Sequence, residues 1–248
     1  MRVDDDVLAV LSRAETKGTA LVLIGQLDRN MYVRTNKVLD AAGGVWNKKA
    51  KAHLFDGDAA ERVEQILLTG TIEVPKDEFN FFASPPAVVA RVLELAKIKP
   101  GMRVREPSAG RGSIAFACAA AGAIVDCDEL MEENYRSLTG DPRLGRVQHV
   151  DFLTQVPEPV YARVAMNPPF FRQADIKHVC HALKFLMPGG LLVSVMAASV
   201  AFRDNKLTQD FRDLIRARGG DIEGLPDGSF KASGTMVRSV IATIPAAA

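Results

Sequence analysis

The segment AMNPPF, residues 165–170, combines residue types that could bind an amine. It follows an apolar run, and ligands of open parallel sheets bind beyond the carboxyl ends of strands. Pro168 and Pro169 hold the backbone extended and have no amide N–H, so the carbonyls of Asn167 and Pro168 are free to face a pocket. With the Asn167 side-chain oxygen they can grip an –NH2 group and leave its lone pair aimed at an electrophile. Phe170 offers a flat face for a base drawn out of its stack.

A glycine-rich turn, residues 102–115, joins a predicted strand to a predicted helix. Gly110 and Gly112 have no Cβ, so the backbone can turn tightly and approach a ligand. An acid follows at the end of the next strand, at Asp128 or Glu129, where a carboxylate can accept hydrogen bonds from ribose hydroxyls. Because the string also fits G-x-G-x-x-A, a nicotinamide dinucleotide is an equally good ligand, and the turn indicates a nucleoside cofactor without saying which.

Both segments need a scaffold, and the apolar pattern predicts one. After residue 84, predicted helices and strands alternate, which indicates an α/β fold with a doubly wound, mostly parallel sheet. The predicted helices are 85–96, 113–121 and 176–186, and the predicted strands are 102–105, 123–127, 147–150, 163–166, 191–196 and 237–244.

A polar segment with Gly70 and Pro75, residues 69–80, marks a domain boundary. We therefore predict a small N-terminal α+β domain over residues 1–75 and a larger domain over residues 76–248. The small domain is predicted to contain a strand at 20–27, a helix at 31–42, a ribbon at 45–55 and a helix at 59–68.

Composition bounds the class of protein. The chain has 248 residues, 48% of them hydrophobic and 25% charged, and a formal net charge of +1, as expected of a soluble globular protein. The three cysteines show no C-x-x-C spacing, and His178 and His181 lack further ligands at suitable spacing, so we expect neither a disulfide framework nor a metal site. The acidic N-terminus lacks a secretory pattern and no apolar run could span a bilayer, so we expect a reduced, cytoplasmic compartment and no membrane partner.

A nucleic-acid partner must then be argued from local charge. Residues 29–53 hold a surplus of five positive charges, with Tyr32 and Trp46 among them. A helix followed by a basic ribbon can lie on a phosphate backbone, so we predict a winged-helix-like nucleic-acid clamp here. Its predicted binding residues are Arg34, Lys37, Trp46, Lys48, Lys49 and Lys51. A solvated charged face explains the same residues equally well.

Several motifs, taken together, carry a family resemblance. EPSAGRG, VDFL at 150–153, NPPF at 167–170 and LMPGGLLVSVM at 186–196 follow one another as in class I S-adenosylmethionine-dependent amino-methyltransferases. FFASPPAVVARV, residues 81–92, is similar to the F-x-T-P segment of γ-type DNA adenine methyltransferases. The resemblance covers roughly residues 79–248. It implies a seven-stranded Rossmann-like methyltransferase sheet, S-adenosylmethionine as cofactor, no metal, and methylation of the N6 amino group of adenine in DNA.

The resemblance also implies a role for each matching residue. The target base would be held by the NPPF residues, Asn167, Pro168, Pro169 and Phe170. The methionine part of the cofactor would lie between Ser84 and Pro85, beside Phe82. The cofactor loop would comprise Glu106, Ser108, Ala109, Gly110 and Gly112. Glu129, or else Asp128, would hold the ribose, while Asp151 and Phe152 would hold the adenine and Asn167 would also border the cofactor.

Two arginines depart from the family pattern. Arg105 replaces the usual apolar residue before the acid of the loop, and Arg111 stands where a small residue or threonine is common. A charged Arg105 in the core is costly unless it is paired. Glu129 is the preferred ribose ligand, because Leu130 then matches the apolar residue that usually follows the acid.

The substrate is left open by these motifs. No separate recognition domain follows the motifs, so we expect low or short sequence specificity, with contacts from the N-terminal domain or from loop 228–238, which also fits an ordinary hairpin connection. NPPF occurs as well in enzymes that methylate ribosomal RNA bases or a protein glutamine amide. A dinucleotide oxidoreductase and a catalytically silent DNA-binding regulator are the alternatives of another class.

Overall fold

The computed structural model describes residues 1–72 and 82–247. Its chain forms two compact units, Met1–Asp77 with Ala198–Asp210 and Glu78–Ala197 with Phe211–Ala248. The predicted domain boundary at residues 75 and 76 lies outside the described residues, so the division into 1–75 and 76–248 stays a prediction. Phe79 and Phe81, candidates for the core or for a cofactor wall, lie outside them too.

The first unit contains an antiparallel sheet of four short strands in the order β1-β2-β4-β3. Its elements are α1 (Asp5–Leu11), β1 (Glu15–Lys17), β2 (Ala20–Val22), α2 (Arg29–Ala41), β3 (Val45–Asn47), β4 (Ala52–Leu54) and α3 (Ala59–Thr69). Helix α2 begins where the Asp28 carboxylate accepts hydrogen bonds from the amides of Asn30 and Met31, at 2.8 and 2.9 Å.

The predicted ribbon and both predicted helices of this unit are present, but the predicted strand at 20–27 ends at Val22 and helix α1 was not predicted. A strand pair separates α1 from α2, and another separates α2 from α3. No two of these helices follow one another directly, which departs from the helix-turn-helix order that a winged-helix-like clamp implies.

The second unit is built on a seven-stranded sheet in the order β7-β6-β5-β8-β9-β11-β10. Its first elements are α4 (Pro86–Ala96), β5 (Arg103–Glu106), α5 (Ser113–Ala120), β6 (Ile124–Glu129), α6 (Glu132–Leu138), β7 (Val147–His149) and β8 (Tyr161–Met166). The chain continues through α7 (Ala174–Ala182), β9 (Leu186–Ala197), α8 (Ser199–Phe202), α9 (Lys206–Ala217), β10 (Asp221–Gly224) and β11 (Ser239–Pro245), with α8 counted in the first unit.

Strands β5 to β9 pair in parallel, while β11 pairs antiparallel with both β9 and β10. The predicted α/β class, with a mostly parallel, doubly wound seven-stranded sheet and a small α+β unit, is confirmed. Val164, Val193 and Val195 are fully buried, as expected for central strands covered on both faces.

The strand order reverses between β5 and β8, since the chain proceeds from β5 to β6 and β7 on one side and from β8 to β9 on the other. In open α/β sheets this switch point leaves a crevice at the carboxyl ends of the strands, where ligands bind. The glycine-rich turn follows β5 and the NPPF segment follows β8, so the topology alone brings the two together. Among the described helices, none is long and apolar enough to cross a membrane.

Candidate active site

A cavity of about 420 Å³ lies at the carboxyl ends of β5, β6 and β8, and we call it the main cavity. Its volume is typical of small-molecule sites. The walls come from segments that follow different strands: Pro107, Ser108, Glu129, Leu130, Met131, Val150, Asp151, Phe152 and the four NPPF residues, with Phe82 and His178 completing them. A second, small recess shares Phe82, Ser108 and Asn167 with the main cavity and adds Ser84, Glu106, Ala109 and Arg111, among others.

The side chain of Asn167 is oriented by its own hydrogen bonds. Its Nδ2 donates to the carbonyl oxygen of Phe82 at 3.0 Å and to Oγ of Ser84 at 3.1 Å. The opposite amide orientation would place Oδ1 against that carbonyl oxygen, so the assignment follows from the contacts. Oδ1 is buried and has no hydrogen-bond partner among the described residues. The residue therefore presents an unused acceptor at a cavity wall, and such groups are rare in native proteins without a ligand to satisfy them.

The rest of the NPPF segment extends this acceptor surface. The carbonyl of Pro168 accepts no hydrogen bond from the described residues. Pro169 and Phe170 also border the main cavity, and Phe170 is only 6% exposed, so its ring forms part of the wall rather than a surface side chain. The structure thus brings together all four predicted base-binding residues.

The glycine-rich turn adopts the backbone that the glycines allow. Gly110 and Gly112 have φ values of +55° and +81°, and a Cβ on Gly112 would lie 2.6 Å from the Phe116 ring. Glu129 holds the turn in place, since its Oε2 accepts from the Gly110 amide at 2.6 Å and its Oε1 accepts from the Met131 amide at 2.7 Å. A carboxylate has about four acceptor sites, so two remain for ribose hydroxyls.

Asp128, the alternative ribose ligand, does not border the main cavity. Successive strand residues point to opposite faces of a sheet, so Asp128 and Glu129 cannot both face the main cavity. Asp128 is 1% exposed, does not border the cavity, and accepts a hydrogen bond from Nε of Arg105 at 2.9 Å. Burial raises the pKa of Asp128, and the Arg105 charge opposes that rise. Its carboxylate is therefore a structural partner of Arg105.

Arg105 is buried and paired, which resolves the cost expected from the sequence. Besides Asp128, its Nη1 donates to the Tyr161 hydroxyl at 3.1 Å, and that hydroxyl donates to Asp126 at 2.9 Å. The guanidinium also lies 4.5 Å from the centre of the Phe185 ring, in cation–π geometry. Partners of this kind offset the free-energy cost of removing the Arg105 charge from water, so the arginine can be buried.

Glu106 provides a second unused acceptor. It is 2% exposed, borders the recess, and its Oε2 has no hydrogen-bond partner in the part of the chain that the structure describes. Burial raises the pKa of Glu106 well above its ordinary value, and the Glu129 charge adds to the rise. A ligand that brings a cationic hydrogen-bond donor would satisfy Oε2 and favour the ionised carboxylate. Together with Asn167 Oδ1, this buried, unpaired oxygen fits a ligand rich in amino groups.

Most of the remaining predicted cofactor residues border one of the two cavities. Ser84 and Ala109 border the recess, Asp151 and Phe152 border the main cavity, and Ser108 borders both. Pro85 borders neither; it precedes helix α4 as its N-cap.

His178 also borders the main cavity, although the sequence predicted no place for it in the cofactor or base site. Its place in the first long helix after NPPF was the only sequence signal for this position. The described residues contain no cluster of three or more His, Cys, Asp or Glu side chains that could bind a metal.

The C-terminal loop, residues 228–238, packs near the recess. Phe230 and Val237 are buried, and Oγ of Ser233 donates to the carbonyl oxygen of Ala83 at 2.6 Å. Ala83 lies between Phe82 and Ser84, which hold Asn167. The loop therefore supports the segment that orients the Asn167 amide.

The predicted nucleic-acid residues lie in the first unit. Trp46 is 44% exposed, and Lys48, Lys49 and Lys51 follow it in the connection between β3 and β4, which we call the basic turn. Oδ1 of Asn47 shapes the turn by accepting from the amides of Lys49 and Ala50 at 3.0 and 2.9 Å. These lysines and Lys37 are exposed and form no ion pair with any described residue.

Arg34, by contrast with these lysines, pairs with two carboxylates. Its Nη2 lies 2.6 Å from an Asp4 oxygen and 2.7 Å from an Asp6 oxygen, and its Nη1 donates to the other Asp6 oxygen at 2.7 Å. These bonds raise the pKa of Arg34, chiefly through Asp6, and the same arginine lowers the pKa of Asp6. Its donors are committed to carboxylates, so it does not join the basic turn as a free cation.

Comparison with known proteins locates the fold. No protein-family model matches the chain, and no curated protein matches its sequence. Among solved structures, the methyltransferase subunit of a type I restriction-modification system from Streptococcus thermophilus superposes with a TM-score of 0.59 at 18% identity, over 75% of this chain and 48% of that one. This chain thus spans about half the length of that subunit.

Two further structures extend the comparison. A protein from Listeria monocytogenes assigned to the class I S-adenosylmethionine-dependent methyltransferases gives a TM-score of 0.56 at 14% identity, over 76% of this chain and 68% of that one. The 23S rRNA methyltransferase ErmE gives 0.50 at 22% identity, over 68% and 70%. The structural neighbours are class I methyltransferases, including a restriction-modification subunit, and the shared feature at these identities is the fold.

Proposed function

We propose that this chain is an S-adenosylmethionine-dependent methyltransferase that methylates the N6 amino group of adenine in DNA. The observation that carries the proposal is the unused Oδ1 of Asn167, a buried acceptor whose orientation is set by the bonds of Nδ2 to Phe82 and Ser84. Asn167 borders a cavity that is also bordered by Glu129, an acid suited to ribose hydroxyls. The methyltransferase fold of the structural neighbours supports the cofactor.

The cofactor fits the polar groups of the site. Glu129 would accept hydrogen bonds from the ribose hydroxyls, and Asp151 and Phe152 would hold the adenine. In the recess, Glu106 and Ser108 would hold the methionine part, whose ammonium satisfies the unpaired Oε2 of Glu106. When bound, S-adenosylmethionine supplies a methyl group on an electrophilic sulfonium.

The chain's own contribution to the reaction is positioning. Asn167 Oδ1 and the Pro168 carbonyl would accept the two hydrogens of the adenine amine, which fixes the amine plane and the direction of its lone pair. The transfer would form a nitrogen–carbon bond and break the carbon–sulfur bond of the sulfonium. The amine would lose one of these hydrogens as a proton, which would pass from these acceptors to solvent water. Phe170 would stack on the base after it leaves the duplex.

DNA would be held through its phosphates by the basic turn. Three lysines without carboxylate partners suit phosphate contacts, and the exposed Trp46 offers a face on which a base can stack. These contacts carry little sequence information, so we propose low or short sequence specificity.

The test is mass spectrometry of nucleosides from DNA incubated with the chain and S-adenosylmethionine. We expect N6-methyldeoxyadenosine, and at least about 100-fold slower formation of it with Asn167→Ala. Ribosomal RNA and a glutamine-containing protein extract are the comparison substrates, because the fold is shared with an rRNA methyltransferase. Methylation of RNA or protein in place of DNA would keep the cofactor and the chemistry but overturn the proposed substrate. Methylation of none of the three would overturn the enzyme assignment.

A further inference from the structure

One side chain of the main cavity has no role in the function just proposed. His178 lies on α7 and borders the cavity. Its ring centre is 6.1 Å from that of Phe152, with 30° between the ring planes, so the two rings are roughly stacked. Phe152 belongs to the segment proposed to hold the adenine of the cofactor. His178 is therefore at the adenine end of the cavity.

The protonation of the imidazole is defined by its contacts. Nδ1 lies 2.7 Å from the carbonyl oxygen of Ala174, which can only accept, so Nδ1 carries the hydrogen. Burial lowers the pKa of His178, so the ring is neutral near pH 7. Nε2 is then a lone-pair acceptor, and it has no partner among the described residues.

We propose that Nε2 of His178 accepts a hydrogen bond from the exocyclic amino group of the cofactor's adenine, and that it selects adenine over hypoxanthine. The inference rests on the proposed function, because it assumes a bound adenosyl cofactor. An amino group has two hydrogens. Oδ1 of Asp151 already accepts from the Leu153 amide at 2.9 Å, so Oδ2 is its freer acceptor for one hydrogen, and Nε2 of His178 is available for the other. Hypoxanthine carries an oxygen at this position, and that oxygen would face two acceptors.

The same helix offers a matched control in His181. Its ring also contacts Phe152, at 4.8 Å between centres, but its Nε2 lies 3.1 Å from the carbonyl oxygen of Gln155, and it does not border the main cavity. A change at His181 therefore disturbs the same aromatic cluster without removing an acceptor from the cavity.

The experiment measures binding to the full chain by calorimetry, with S-adenosylhomocysteine and its deaminated analogue S-inosylhomocysteine as probes. We expect the wild type to prefer the adenine form by at least about tenfold. His178→Phe keeps an aromatic ring but loses the acceptor, so the preference should fall about tenfold, chiefly through weaker binding of the adenine form. His178→Gln, which restores an acceptor, should recover part of the preference. His181→Phe should leave the ratio of the two affinities unchanged.

An unchanged ratio in His178→Phe, with normal S-adenosylhomocysteine binding by the wild type, overturns the role of His178 and leaves the proposed function intact. Failure of the wild type to bind S-adenosylhomocysteine overturns both. Should His178→Phe not fold, the wild type decides by nitrogen-15 NMR: the Nε2 resonance of His178 shifts on binding the adenine form and not on binding the inosine form, and the absence of that difference refutes the inference.

Discussion

The main cavity and the basic turn were both predicted from residue types, yet the structure treats them differently. The cavity collects residues far apart in sequence, from Phe82 to His178, and it and the adjoining recess contain two buried acceptors without partners among the described residues. The basic turn is local in sequence and exposed, and one predicted cation, Arg34, is bound by acids at positions 4 and 6. Residues at the ends of parallel strands lie close together because these strands end at the same edge of the sheet. A count of charges in one segment omits carboxylates from other segments that the fold brings into contact with it.

The largest effect we predict lies in the cavity. Asn167→Ala removes the oriented acceptor, so the rate of methyl transfer should fall between about 100- and 1,000-fold, a loss typical for one preorganised polar group in an active site. The affinity for S-adenosylhomocysteine should change less than about threefold. Single-turnover kinetics and calorimetry measure the two quantities.

Asn134→Ala is the matched control, since Asn134 is another buried asparagine of the second unit and does not border the cavity. It should lower thermal stability without a comparable loss of rate. Equal rate losses in both variants would show that burial, and not the orientation of the Asn167 amide, explains the effect.

The next comparison separates two adjacent acids. Asp128→Asn leaves the buried Arg105 without its counter-charge, so we expect the free energy of unfolding to fall by about 3 kcal/mol. Glu129→Gln instead places an amide –NH2 against the Gly110 or Met131 amide, so we expect S-adenosylhomocysteine affinity to fall about tenfold. Denaturant unfolding and calorimetry measure them. The reverse pattern would return Asp128 to the candidate ribose ligands.

These two acids also show where sequence reasoning ends. Strand-to-turn patterns predicted the parallel sheet and the meeting of the glycine turn with NPPF, because topology requires it. The choice between Asp128 and Glu129 depended on strand register, which a pattern defines only to within a residue or two. The partners of Arg105, at Asp128 and Tyr161, arise only from tertiary packing. Strand β10 escaped prediction because it is short and partly exposed, whereas helix α9 was missed although Phe211 and Ile215 are buried at helical spacing.

On the surface side, we predict a smaller effect from the basic turn. Replacing Lys48, Lys49 and Lys51 with Gln should weaken DNA binding about 10- to 100-fold at low salt, and lower the slope of log affinity against log salt by up to about 3. Each lysine lost removes about one phosphate contact. Fluorescence anisotropy over a salt series measures both quantities.

Lys97, Lys99 and Lys184 provide the charge-matched control, because they are exposed lysines of the second unit. Their replacement by Gln changes the net charge equally. Equal weakening by both triple variants would mean that overall charge, rather than the basic turn, attracts DNA.

The smallest effect concerns pH and belongs to the cavity. Burial raises the pKa of Glu106, so the folded chain keeps a proton that the unfolded chain releases above about pH 4.3. From there up to the raised pKa the folded state binds more protons, and stability must fall as pH rises.

Glu106→Gln has no proton to lose, so its stability relative to the wild type should rise with pH, on the order of 1 kcal/mol per pKa unit, and level off above the folded-state pKa. Urea unfolding at a series of pH values from about 5 to about 9 measures the difference. Parallel curves would mean that Glu106 titrates normally in the folded chain. The unpaired Oε2 of Glu106 would then be no argument for a cationic ligand. The unpaired Oδ1 of Asn167 would be left as the one buried acceptor that distinguishes the cofactor site from the exposed basic turn.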